Sequence, residues 1–504
     1  MLERHAPAVL AAAGALAFGC AALVLGQSNN WDLCNYHWYD GWAWLSGRGD
    51  ADLAPAHLQT WFNPLLPAAL YALLSSLPPA AGTFALGAVQ GLNLALIYLV
   101  ARALLAGRPA WLAVAAAVVG ATGATQLGEL GATFGDNLMT LPLLGAMALV
   151  VTGANTARIA LAGLLAGLAV GVKLTVAPFA AGIVLALPLL AADRAQALRW
   201  FALAAAAAAV GFLAAAGFWM IELYQRYGNP LFPMFGSLFG GEYVPPANLR
   251  DTRFLPRTLA QWLFYPVAWA RAPRTVSELW FLDLRIPFAF LALFALPWWY
   301  RRAAAPALRH VLVALGIGYA GWLVLFGYYR YLALIEMLAP ALRVVALGAL
   351  PWRRVAVTVV VLALVVVTTK VPDWGRLPQY GERYVEVTLP DVPLERATIV
   401  LPDDGALAFM IPSFPASAHF VRVGGNLMGP PMPTWALDGE AAVRIATTQG
   451  PLYALVGKAD TGQADEALWR HNLAIDTATC HRVEANLLHG RPPASLCALV
   501  RAAE

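Results

Sequence analysis

The stretch APAVLAAAGALAFGCAALVLG, residues 6–26, decides the fold class. It is an uncharged apolar run of the length a bilayer requires, roughly 20 residues at 1.5 Å each. No small-residue cleavage site follows it and more such runs come later, so it reads as a retained anchor rather than a signal peptide. Further spans are expected near residues 82–106, 110–127, 137–153, 157–172, 174–191, 200–220, 286–300, 311–327, 331–349 and 355–371, about eleven in all. The composition agrees. Only 12% of the 504 residues are charged and 60% are hydrophobic, against about 25% charged in an ordinary soluble chain. The formal charge of +4 is small for this length and gives no support to a nucleic-acid partner.

With the N-terminus cytoplasmic, alternation places Arg4, Arg102, Arg108, Arg158, Arg194, Arg199, Arg301, Arg302, Arg309, Arg353 and Arg354 on the inner side. This is the arginine bias of short inner loops. The outward segments are then 28–81, 128–136, the hairpin around Lys173, the long loop 221–285, the turn 328–330 and everything after 371. The short, Pro-bounded apolar segment 62–78 reads as an interfacial helix, because counting it as a span inverts that pattern. The expected fold is an α-helical polytopic membrane domain, 1–371, followed by a small soluble α/β domain, 372–504. In that tail the strand-like runs ATIVL (397–401), AHFVRVGG (418–425) and PLYALV (451–456) alternate with Pro, Gly and Asp turns. Cys480 and Cys497 both lie in the tail, where an oxidising compartment allows a disulfide.

Four outward features carry chemistry. The first is WDLCNYHWYDGWAWLSGRGDADLAPAHLQTWFNP, residues 31–64, where helical spacing puts Asp32, Asn35, Tyr36 and Tyr39 on one stripe, flanked by His37 and Asp40. A carboxylate at a tryptophan-walled interface is partly desolvated and suited to general-base work; the plainer reading is a solvated interfacial helix. The second is GATFGDNLMTLPLLGAMALV (131–150), with Asp136 entering a span, where a helix cap is the alternative role. The third is GVKLTVAPFAAGIVLALPLL (171–190). Its Lys173 is one of only three lysines and must reach water, headgroups or an anion, since a mid-membrane charge costs about 2.5–3.5 kcal/mol. The fourth is GYYRYLALIEMLAPAL (327–342), where Arg330 offers a fork suited to phosphate. Two acids and two cations on one face suit a phosphate-bearing lipid.

In their order and sidedness these segments resemble the GT-C superfamily of membrane glycosyltransferases, which includes protein O-mannosyltransferases and bacterial aminoarabinose transferases. Asp32 matches the acid after the first span, GDNLMTLPLL places the second acid at Asp136, GLAVGVKLTVAPF places Lys173, and YRYLALIEMLAP places Arg330. GNPLFPMFGSLFGG (228–241), DTRFLP (251–256) and LDLRIP (282–287) also look like outer-loop sequence of bacterial members. The resemblance covers residues 1–371 and implies inverting transfer of a sugar from a polyprenyl-phosphate donor to a glycan, lipid or protein acceptor at the periplasmic face of an inner membrane. Asp32, or Asp40, would be the base. Asn35, His37, Tyr39, Asp136, Lys173 and Arg330 would bind substrate, with Asp136 also a candidate ligand for a divalent cation such as Mg or Mn. The competing expectation is a transporter or flippase of lipid-linked sugars, though no internal repeat of the kind such folds show is present.

Overall fold

The computed structural model describes residues 2–245, 249–293, 305–347, 354–457 and 462–502; Arg301, Arg302 and Arg353 lie outside the described residues. Two compact units emerge. One gathers residues 1–25, 83–217 and 250–374, and the other residues 26–82, 218–249 and 375–504.

The first unit is helical. Helices occur at each expected span within the described residues, and among those residues four are long and apolar enough to cross a bilayer: His5–Leu25, Pro79–Leu104, Arg194–Tyr227 and Pro306–Leu325. Length alone does not establish the expected eleven crossings. Ala110–Ala121, Asp136–Val151 and Thr156–Val172 are apolar but shorter, and at 1.5 Å per residue they reach less than the roughly 30 Å of hydrocarbon. Small residues set the helix packing. A Cβ on Gly163 would sit 2.3 Å from the Ala204 carbonyl oxygen, and one on Gly167 would sit 1.9 Å from that of Ala208. This is close approach through a small-xxx-small face.

A buried polar knot fixes the chain that leads into the candidate site. Arg285 is fully buried; its Nε donates to the Val119 carbonyl (2.8 Å) and its Nη2 to that of Thr122 (2.7 Å), at the end of the helix Ala110–Ala121. Its Nη1 pairs with Asp283 at 2.5 Å, and Asp283 accepts from the Ala124 amide at 2.9 Å. Glu336 takes the Thr125 amide at 3.1 Å. These bonds satisfy the amides that a helix start leaves unpaired, here the start of the turn Ala124–Gly128. Gly123 packs directly against Glu336, so a Cβ there would crowd that side chain, with Cγ at 2.7 Å. LDLRIP is thus an internal clamp, and its Leu282 bridges Lys370 in antiparallel register.

The second unit is built on a mixed sheet. Strands β1 (Val387–Thr388), β2 (Thr398–Leu401), β3 (His419–Arg422), β4 (Leu452–Val456), β5 (Leu473–Ile475), β6 (His481–Ala485) and β7 (Ala494–Arg501) run in the order β1-β6-β7-β4-β2-β3, with β5 also on β7. The three runs expected as strands are β2, β3 and β4, and β2 pairs in parallel with both others. Helix Ala436–Ala446 forms the crossover from β3 to β4, which parallel strands require. The first loop joins this sheet. Leu53 bridges Val421, with the Leu53 amide donating to the Phe420 carbonyl (2.8 Å) and the Arg422 amide to the Leu53 carbonyl (3.0 Å). Arg422, buried, donates to the carbonyls of Ala54, Pro55, Asp403 and Gly424. The segment 218–249 is tied to the same loop: Trp219 donates to the Trp61 carbonyl and Trp61 to the Tyr227 hydroxyl.

Cys480 and Cys497 form a disulfide, whereas Cys20 and Cys34 are free. Alkylation of SDS-denatured protein is expected to modify two thiols before reduction and four after it. Cys497→Ser should cost about 3 kcal/mol of stability for a loop of this size. Four reactive thiols without reductant would contradict the pairing.

Candidate active site

In the first unit, Asp136, Lys173 and Arg330 come together. Asp136 opens the helix Asp136–Val151 but does not cap it. The carboxylate at that helix start belongs to Glu129, which accepts the Asn137 amide at 2.9 Å, where the helix dipole favours negative charge. Asp136 is thereby left to meet the cations. Lys173 stands at the C-terminal cap of Thr156–Val172 in extended conformation; its Nζ reaches Asp136 Oδ1 at 2.7 Å and donates to the Phe134 carbonyl at 2.7 Å. Arg330, in the 3₁₀ turn Tyr329–Leu332, brings Nε to 3.0 Å from Asp136 Oδ2 and 3.9 Å from Glu129 Oε1.

Rings wall the guanidinium. It lies 4.2 Å from the Phe134 centroid, 5.4 Å from Tyr328, 5.6 Å from Trp374 and 5.8 Å from Tyr331. Asn137 is held by Asn93, which donates to its side-chain oxygen at 2.9 Å, and Gln90 donates to the Glu129 carbonyl at 3.1 Å. Both carboxylates are buried, while the side chains of Lys173 and Arg330 keep 16% and 10% of their exposure. Burial pushes the Glu129 carboxyl well above its ordinary range; Asp136 adds to the rise, and Arg330 and Lys173 oppose it. Glu129 is not among the residues the sequence motifs single out, although it carries a signal there, an acid seven residues before Asp136.

The residues after the first helix lie in the second unit. The helix expected there forms, but Leu33–His37 is a π turn in which the Trp38 amide donates five residues back to the Leu33 carbonyl. The wider turn breaks the single stripe that α spacing implies. Tyr36 stays with Asp32, hydroxyl to Oδ2 at 3.4 Å, while Tyr39 turns to Asp52 at 2.9 Å. Asn35 is buried and donates to the Ala56 carbonyl and to Gln59 Oε1. His37 is buried against the Tyr36 ring. Asp32 is half-buried. Asp40 is 4% exposed, and neither of its oxygens has a hydrogen-bond partner among the described residues; burial alone raises its carboxyl well above the usual range.

As a metal site, Asp136 fits poorly. Two cations occupy its carboxylate, and among the described residues no three His, Cys, Asp or Glu side chains group as a metal would need.

No family model matches the chain, and no curated protein matches it. Among solved structures, the crystal structure of the Archaeoglobus fulgidus oligosaccharyltransferase in its apo form is similar at 14% identity with a TM-score of 0.48, covering 88% of this chain and 69% of that one.

Asp40 makes a pH prediction. Its folded-state carboxyl titrates above its unfolded one, so the folded chain binds more protons over that interval and stability falls as pH rises through it. Asp40→Asn should therefore raise the melting temperature at pH 7 by several degrees. The gain should shrink as the pH falls and vanish only below pH 3.8, the ordinary value, where Asp40 is protonated in the folded and the unfolded chain alike. Thermal scans across pH check this; a pH-independent loss in the variant would contradict it.

Proposed function

We propose that the chain is a membrane glycosyltransferase of the GT-C type, moving a sugar from a polyprenyl-phosphate donor to an acceptor hydroxyl, with inversion. The observation that carries the reading is the meeting of Lys173 and Arg330 on one carboxylate, Asp136, within the helical unit. A purely structural pair needs one cation per acid. Burial shifts Glu129 towards its neutral form, which weakens the negative charge facing the two cations and suits the pair to a phosphate. The aromatic wall cradles the Arg330 guanidinium.

In the reaction, the acceptor oxygen bonds to the anomeric carbon as the bond from that carbon to the phosphate oxygen breaks. The acceptor proton passes to the base, and the lipid phosphate leaves as an anion stabilised by Lys173 and Arg330. The base is assigned to Asp32. It is half-buried beside Tyr36, whereas burial raises the Asp40 carboxyl and disfavours the ionised form a base needs. Asn35 and Tyr39, bonded to Gln59 and Asp52, hold the helix that carries Asp32 and act as positioning residues; His37 is buried against the Tyr36 ring. No step runs through a metal.

We place the second unit on the outer, periplasmic side of a bacterial inner membrane, with the N-terminus cytoplasmic and about eleven crossings. Two features support this. Segments 26–82, 218–249 and 375–504 share one compact unit, which suits a common side of the bilayer, and the tail carries a disulfide, which suits an oxidising compartment.

The test is transfer from a radiolabelled polyprenyl-phosphate sugar by full-length protein in proteoliposomes. Asp32→Asn should insert and fold yet lose about 10²–10⁴-fold in rate, the usual share of a general base. Full activity in that variant overturns the base assignment. Movement of labelled lipid across the bilayer with no covalent product would favour the transporter.

A further inference from the structure

Beside Asp32, the second unit presents a patch to which the first loop and the tail both contribute. Trp31 is 39% exposed, and its ring stacks over His57 with centroids 6.2 Å apart. His57 is buried at a φ of 58°, a left-handed conformation rare for a side-chain-bearing residue. Such strain persists only where surrounding structure over-determines it and clusters at ligand sites. What holds it comes from the tail. The Asn426 amide donates to His57 Nδ1 at 3.4 Å, and the Asn426 side-chain oxygen accepts the Leu58 amide at 3.1 Å. Asn426 Nδ2 then donates to Gln59 Oε1 at 3.3 Å, and Asn35 donates to the same oxygen at 3.3 Å. Both bonds fall on the Gln59 oxygen, which leaves the two donors of its amide nitrogen for a ligand.

The chemistry of the patch is neutral apart from Asp32. Burial, and then the nearby Arg422 charge, hold the His57 ring well below its ordinary pKa and uncharged. Arg422 itself is buried and consumed by backbone carbonyls. A half-exposed indole offers a flat apolar face with a polar rim, and the amides of Gln59 and Asn426 offer hydrogen bonds without charge. Together these match a sugar ring, with its apolar C–H face and its hydroxyls, and give no counter-ion to a phosphate or carboxylate. An extended peptide would need a free strand edge, but the adjoining β3 edge is already taken by Leu53.

We infer that Trp31, Gln59 and Asn426 form a subsite for a neutral glycan, which presents its hydroxyl to Asp32. The proposal rests on the transfer reading for its purpose but not for its test, which reads binding alone. Full-length protein in nanodiscs would be probed by saturation-transfer NMR with chitotriose, maltotriose and mannotriose. At least one trisaccharide should show transfer. Trp31→Ala and Gln59→Ala should each weaken its binding about tenfold, while Trp469→Ala, an exposed indole elsewhere in the unit, should not. Asp32→Asn should keep binding while losing sugar transfer, which separates this subsite from the reading it serves. Binding that survives both Trp31→Ala and Gln59→Ala overturns the subsite, as does the absence of binding by all three sugars. Displacement of the sugar by a soluble Ser/Thr peptide would also overturn it, in favour of a protein acceptor.

Discussion

The helical unit depends on one buried carboxylate shared by two cations. Asp136 lies within 2.7 Å of Lys173 and 3.0 Å of Arg330, from segments far apart in sequence. In a weakly screening environment none of the three tolerates isolation, because an uncompensated buried charge costs several kcal/mol. The geometry has to be built before the charges meet. Arg285 and Asp283 fix residues 119–124, and Glu336 fixes the turn that follows. That turn delivers Glu129 to the Asn137 amide, which releases Asp136 from capping duty. A second polar knot, away from the cations, thus decides where they converge.

The second unit answers a different problem, which is how a loop rich in tryptophan and small residues gains a fixed shape. It borrows a sheet edge. Leu53 extends β3, Arg48 and Asp52 reach the same strand region, and Arg422 gathers the carbonyls of residues 54 and 55. Covering that edge also protects a strand that would otherwise invite pairing with other chains. Because the tail supplies Asn426 to the turn at His57, its role extends past that of a passive appendage.

Some of this was legible in the sequence. Apolar run length located the helices, and the scarcity of lysine singled out Lys173; the runs 397–401, 418–425 and 451–456 are strands because their β-branched and aromatic content sits between Pro and Gly turns. Other features were not. Hydropathy does not register where a helix ends in a 3₁₀ or irregular segment, as at Leu174–Val176 and Leu187–Leu190, so it located apolar runs better than helix ends. The stripe through Asp32 and Tyr39 assumed 3.6 residues per turn, and a five-residue π turn undid it. Glu129, Gln59 and Asn426 escaped because their roles depend on partners distant in sequence: Glu129 on Arg330, and Gln59 on Asn426, 367 positions away.

If Lys173 and Arg330 are held for a lipid phosphate, as proposed, the protein distinguishes a polyprenyl phosphate from its alcohol. The most direct measurement is binding of a short-chain polyprenyl phosphate, against the matching polyprenol, to the purified full-length protein in detergent. Preference for the phosphate, lost by about tenfold or more in Lys173→Met and in Arg330→Met while both variants remain folded, is the predicted result. Equal affinity for phosphate and alcohol, or a preference unchanged in both variants, would contradict it.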